Sequence, residues 1–222
     1  MPRNRPDSAF LYYLASTCNQ EGGDQLPSLR ELSRELGVSV SALREQLEVA
    51  RALGLVEVRP RTGIRRQPYS FSPAVKMSLA YALQLSPENF MAFADLRNRL
   101  EDTYYDAAVA KLTSEDHIEL RQLMKRAWDK LRGDPIQIPH DEHRQLHLLI
   151  YHRLDNPFVT GILEAFWEAY ETVGLSVFAD YKYLQQVWNY HQQIVDAICS
   201  GNHMAGHQAL IDHKDLLSHR YF

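Results

Sequence analysis

LPSLRELSRELGVSVSALREQLEVARALGLVEVRPRTGIRR, residues 26–66, decides how the rest of this chain is read. Ser28 stands three residues before Glu31. At that spacing a Ser hydroxyl and a Glu carboxylate cap a helix N-terminus reciprocally, so a helix is predicted from Leu29. Leu29, Leu32 and Leu36 share one face of it, and Gly37 supplies the stop. After a short turn at Val38 and Ser39, residues Leu43, Leu47, Ala50 and Leu53 mark the apolar face of a second helix, which ends at Gly54. Two short helices joined by a turn of about three to four residues make the helix-turn-helix plan. The period then changes. Leu55–Val58 and Ile64–Arg66 read as two short strands around Arg59-Pro60-Arg61-Thr62-Gly63, a hairpin or wing.

Charge is distributed to match. Residues 1–66 carry ten Arg and no Lys and are net +2, whereas residues 67–222 are net −6, giving the total of −4. The basic charge of this first part gathers in the wing, at Arg59, Arg61, Arg65 and Arg66. A guanidinium pairs bidentately with phosphate or with a guanine edge, so an arginine-only patch suits duplex DNA. The competing reading is a helical hairpin packed on a partner with its arginines merely solvated. The order helix, turn, helix, basic wing favours DNA.

The pieces LPSLRELSRELGVS, LREQL and GLV, followed by a wing containing Gly63, resemble the winged-helix domain of the GntR superfamily of bacterial transcription regulators. The resemblance implies that Arg30, Arg44, Arg61 and Gly63 lie against DNA. It also implies that Ser39 and Ser41 bind phosphate where the second helix begins, a place where free backbone N–H groups point outward. One position departs from the family pattern: the Arg usual after the turn's Ser or Thr is Val40 here. Losing one such contact removes about 1–3 kcal/mol, which predicts an operator unlike the family's usual one.

A chain of 222 residues with 45% hydrophobic content can bury one or two cores. The sequence divides into a DNA-binding part at 1–67, a linker at 68–73 containing Pro68 and Pro73, and a helical part at 74–222. No apolar run approaches the roughly 18 residues of a membrane span. Phe10–Ala15 is too short for a secretory signal and reads as a first helix of the DNA-binding part. Cys18 and Cys199 are too few for a disulfide framework, which fits the cytoplasm. Beyond the linker, helices are predicted at 74–85, from Ser86-Pro87, from Ser114 to Leu131, from Pro139 to near Asp155, from Asn156-Pro157, over about 180–199 and from His203 onward. The expected fold is mainly α: a winged helix-turn-helix followed by an all-α bundle of six or seven helices.

All ten histidines lie at or beyond His117. His140, His143 and His147 share one helical face by their spacing, and His191 and His213 sit on the last two helices. An i, i+4 pair joined by single histidines from other helices is one way a bundle core holds a metal ion. The helical part is similar to the FCD effector domain of the same superfamily. The match rests on Leu96–Glu101, Leu146-His147 followed by Asn156-Pro157, Tyr190-His191, and Ala209 with His213. That resemblance implies His143, His147, His191 and His213 as metal ligands, with His143 standing where the family has Asp. Asp141 points to another side of the helix and is a poor substitute. Four imidazoles suit zinc, nickel or copper better than magnesium or calcium, with zinc or nickel preferred. The alternative is that His143 only fills the pocket. Arg97 is either the clamp for a carboxylate effector or a surface ion pair with Glu101 at i+4.

The function expected is a cytoplasmic, homodimeric transcription regulator on a palindromic operator, controlled by a small carboxylate bound at the metal. Two rivals are a regulator that senses the metal itself and a zinc hydrolase. The hydrolase is disfavoured because no Glu beside the histidines has an obvious general-base position, as in HExxH.

Overall fold

A computed structural model describes residues 8–18, 23–173 and 180–218, with side chains of the last stretch followed as far as Lys214. His219 lies outside the described residues. The chain divides into two compact units, Met1–Ala74 and Val75–Phe222.

The first unit contains α1 (Ala9–Ser16), α2 (Leu29–Leu36), α3 (Val40–Ala52), β1 (Val56–Arg59) and β2 (Gly63–Arg66). The capping box at Ser28 is complete: the Ser28 hydroxyl accepts from the Glu31 N–H, and the Ser28 N–H donates to the Glu31 carboxylate at 2.8 Å. Gly37 closes α2 in the left-handed region at φ 67°. Phe10, Leu32, Leu43, Leu47, Ala50, Val56 and Ile64 form the core of this unit. Gln46 of α3 fastens α1 to that core, its Oε1 accepting from Ser8 Oγ at 3.1 Å and from the Phe10 N–H at 2.9 Å.

The wing strands run one residue off the expected bounds, pairing antiparallel from Val56 opposite Arg66 to Arg59 opposite Gly63. Residues 60–62 close the hairpin. Pro60 fixes its own φ at the first corner, and Arg61 takes a left-handed φ of 70° at the next position. One pairing had no counterpart in the sequence reading. The Leu26 N–H donates to Ile64 O at 2.9 Å, and the Arg66 N–H donates to Asp24 O at 2.7 Å, so the chain entering α2 lines the outer edge of β2.

The remaining helices are α4 (Ser72–Leu85), α5 (Asn89–Val109), α6 (Ser114–Leu131), α7 (His140–Tyr151), α8 (Pro157–Thr172), α9 (Tyr181–Ser200) and α10 (His203–Ser218). Among the described residues this makes seven, as expected. Several ends differ from the sequence reading. α4 starts at Ser72, two residues early, with Pro73 tolerated in its first turn. α5 starts at Asn89 rather than Ser86, and α7 stops at Tyr151, short of Asp155. The cap of α6 is Thr113, whose N–H donates to the Asp116 carboxylate at 2.7 Å. Asn156 caps α8 as read, accepting from the Phe158 and Val159 N–H groups.

In the second unit, α10 lies against α9 and α5, α6 against α7 and α9, and α5 and α8 against α7. Leu120, Leu123, Leu146, Ile150, Trp188, Ile194, Ile198 and Leu210 fill the space between them. The four histidines read from the sequence occupy inward positions of this packing.

Candidate functional site

On α9 the inward stripe is Leu184, Val187, Trp188, His191, Ile194, Val195 and Ile198, a run of core positions with one imidazole in its middle. His147 lies in the equivalent stripe of α7 beside Leu146, Ile150 and Tyr151, and His213 follows Ala209 and Leu210 on α10. His143, one turn before His147, completes the set. One ligating atom from each of the four falls within 4.8 Å of every other. His147 Nε2 is 3.2 Å from His191 Nε2, which is 3.1 Å from His213 Nε2. His143 Nε2 is sealed from solvent with no hydrogen-bond partner.

Burying four polar rings among leucines costs free energy unless something satisfies their nitrogens. Desolvation, first, and then the neighbouring imidazoles and Arg97 push His143, His191 and His213 well below the usual histidine range; His147 is lowered by desolvation and Arg97. All four are therefore neutral near pH 7, the form that can donate a lone pair to a metal. Imidazole bonds of about 2.0–2.1 Å in a tetrahedron set donor atoms about 3.3 Å apart, close to the two Nε2–Nε2 separations of 3.2 and 3.1 Å, with all four donors within 4.8 Å. The residues present thus fit a divalent transition ion.

Around the rings stands an aromatic wall: the His143 ring meets Trp167 edge-on at 4.6 Å and Trp188 at 5.9 Å. On the far side of His147 lies the pair of Arg97 and Glu101, which the sequence offered as a surface contact, the alternative to a carboxylate clamp at Arg97. Arg97 is 1% exposed and Glu101 is 0% exposed, with Nη2 2.9 Å from Oε1. Arg97 also reaches His147 Nδ1 at 2.8 Å and donates to Asn98 Oδ1 at 3.1 Å, and its guanidinium lies 4.7 Å from the Phe166 ring centre. The pairing of Arg97 with Glu101 was one of two alternatives read from the sequence, and its burial was in neither, because an Arg and a Glu at i, i+4 carry the signature of a solvated face. Of the histidines without a pattern, His207 pairs with Asp102 at 2.7 Å and His152 stands 3.4 Å from Asp116.

In the first unit Arg30, Ser39, Ser41, Arg44, Arg61 and Gly63 are all exposed. Ser39 caps α3, its hydroxyl accepting from the Ala42 N–H at 3.2 Å, which leaves the hydroxyl proton for another acceptor. The wing is less uniformly basic outward than its sequence implied. Arg66 turns inward, donating to Leu14 O and to Thr17 Oγ1 at 2.6 Å each, and Arg59 pairs with Glu57 at 2.7 Å. Arg61 and Arg65 remain exposed.

Residues 92–215, more than half of the chain, match the FCD domain, and residues 19–65 match the bacterial regulatory proteins of the gntR family. The chain belongs to the GntR family. It is 30% identical over 199 residues to the HTH-type transcriptional regulator YieP of Escherichia coli, covering 85% of this chain and 82% of that one. It is 23% identical to the HTH-type transcriptional regulator LutR of Bacillus subtilis, covering 88% and 92%. Its fold is similar to the Streptococcus agalactiae GntR structure, with a TM-score of 0.70 at 20% identity over 94% of this chain and 95% of that one. This GntR protein is a DNA-binding transcription regulator, not an enzyme. No helix among the described residues is long and apolar enough to cross a membrane.

Proposed function

We propose that this regulator holds a divalent transition ion, zinc or nickel, on His143, His147, His191 and His213, and that a small carboxylate bound there controls its affinity for operator DNA. The observation that carries this reading is the convergence of four imidazoles, three buried and His143 half-buried, with ligating atoms within 4.8 Å of one another. The bound ion supplies positive charge toward an anionic ligand. Glu101 and Arg97 offset one another, and four imidazoles add no charge, so the ion's two charges face the effector undiminished. An Asp at position 143 would cancel one of them. Arg97 is held by Glu101, His147 and Asn98, and its Nε, which has no hydrogen-bond partner, is an N–H still available to an anion.

The exposed Arg30, Ser39, Ser41, Arg44, Arg61 and Gly63 make the DNA-facing set, with Arg44 reading base edges and the serines holding phosphates. The protein works in the cytoplasm as a homodimer on a palindromic operator, because paired winged helices read half-sites related by twofold symmetry. A second reading, in which the metal itself is the signal, uses the same histidines. Operator affinity measured with metal removed, with metal alone, and with metal plus small carboxylic acids separates the two. A response to acid only when metal is present supports the effector reading. A full response to metal alone supports the sensor, and loss of no function on metal removal refutes both.

A further inference from the structure

We infer that Arg97 and Glu101 are positioning residues that decide which ring nitrogen of His147 carries its proton, and so couple metal binding to the binding of an anion. This rests on the reading of the four histidines as a metal site.

Arg97 Nη2, Glu101 Oε1 and His147 Nδ1 form a closed triangle with edges of 2.8, 2.9 and 3.1 Å. A guanidinium only donates and an ionised carboxylate only accepts, whereas a neutral imidazole nitrogen does one or the other. Nδ1 therefore cannot satisfy both neighbours at once. If it accepts from Arg97, the ring proton sits on Nε2, the atom that faces His191 Nε2 at 3.2 Å. That tautomer has no lone pair to offer a metal. If Nδ1 carries the proton and donates it to Glu101, Nε2 presents its lone pair to the other histidines. The two forms differ only in the place of one proton, with no change in net charge.

A carboxylate on the outer nitrogen of a ligating histidine is the usual way such a ring is oriented. Here the carboxylate has a competitor at the same nitrogen. His191 and His213 have Nδ1 atoms with no hydrogen-bond partner, so neither of those rings is set by such a competition. When His147 turns its proton to Glu101, Arg97 loses an acceptor, and its Nε is already buried without one. The guanidinium then holds unsatisfied N–H groups under the Phe166 and Trp167 rings. A small anion that takes them removes the donor from Nδ1 and favours the ligating tautomer. By reciprocity, metal and anion each strengthen the other's binding, even where the two do not touch.

The test reads the tautomer of His147 by ¹⁵N NMR of the full-length protein, its signals assigned by their absence in His147→Gln. Zinc affinity is measured in parallel by chelator competition, with and without acetate as the anion. In the metal-free protein the proton is expected on Nε2, moving to Nδ1 when zinc is added. Arg97→Met should place it on Nδ1 without metal and should abolish the acetate effect, which in the unaltered protein is a strengthening of zinc binding by about tenfold. Glu101→Gln should weaken zinc binding by about 10–100-fold. Because Arg97→Met leaves Glu101 unpaired in the core, the double variant Arg97→Met/Glu101→Gln, which removes both charges, serves if the single variant does not fold. It too should lose the acetate effect. An unchanged tautomer in Arg97→Met, or acetate strengthening zinc equally in the variants lacking Arg97, overturns the inference. Failure of the unaltered protein to bind zinc at all sinks the metal reading instead, while the metal-free tautomer still reports whether Arg97 commands Nδ1.

Discussion

Arg66 looks in sequence like one more cation for DNA, but the structure ties it to α1, and the two roles make opposite predictions. Arg66→Met keeps the aliphatic stem and deletes two charge-assisted hydrogen bonds of 2.6 Å, to Leu14 O and Thr17 Oγ1. Each is worth about 1–1.5 kcal/mol net in a half-buried setting, so the loss is about 2–3 kcal/mol. A first unit of this size has only about 5–10 kcal/mol in total, so such a loss is large. It corresponds to amide exchange about 30–150-fold faster in peptides from α1 and β2, read by hydrogen-exchange mass spectrometry. The salt dependence of operator binding should stay as it was. Arg61→Ala should do the reverse, leaving exchange unchanged while lowering the slope of log affinity against log salt by about 0.9. If Arg66→Met leaves exchange unaltered and flattens the salt dependence, the inward tie is not what this arginine is for.

Arg44→Ala should weaken operator binding by about 1–3 kcal/mol and relax sequence preference, measured by fluorescence anisotropy on matched and mismatched duplexes; undiminished affinity would remove Arg44 from the interface. The purified protein should carry about one transition ion per chain, and His191→Ala or His213→Ala should each lose most of it; full occupancy in both variants would be incompatible with the site. His143→Asp should keep the ion but bind carboxylates more weakly, whereas His143→Ala should lower metal affinity, both read by calorimetric titration. Acid stability should depend on Asp116, whose carboxyl is held well below the usual range, chiefly by its hydrogen bond from Arg153. A depressed folded-state pKa stabilises above the unfolded value of about 3.9 and loses that contribution as pH falls below it. The thermal stability gap between the unaltered protein and Asp116→Asn should therefore narrow below about pH 4; a gap that is constant with pH would contradict this.

What could be read from sequence was whatever short-range chemistry decides. Ser28 and Glu31 are three residues apart and satisfy each other, and Gly37 needs only its own φ, so α2 was legible to the residue. His143 and His147 were legible as one helix face by their spacing, and the family resemblance added His191 and His213 to them; the four rings do converge. What escaped was settled by contacts far along the chain. Arg97 and Glu101 show a solvated spacing, and only packing against His147, some fifty residues on, buries them. Arg66 is recruited inward by Leu14 O, and the edge of β2 is taken by 24–26, neither of which leaves a periodic trace. α5 begins late because Pro87 and Glu88 spend a turn before the helix proper, a choice that the Ser-Pro signal alone leaves open.

The indole rings give the helical unit an optical property that the DNA-binding unit lacks. All three tryptophans, Trp128, Trp167 and Trp188, belong to the second unit. Trp188 packs against the His191 ring at 4.8 Å and Trp167 against the His143 ring at 4.6 Å, so two of the three emitters stand at the edge of the imidazole cluster. A paramagnetic ion such as nickel held there would quench their emission over a few ångströms, while zinc, with a filled d shell, would shift it without quenching. Occupancy of the cluster and the identity of its occupant can thus be followed in the unlabelled protein, on intact operator complexes, by tryptophan light that the winged helix does not itself emit.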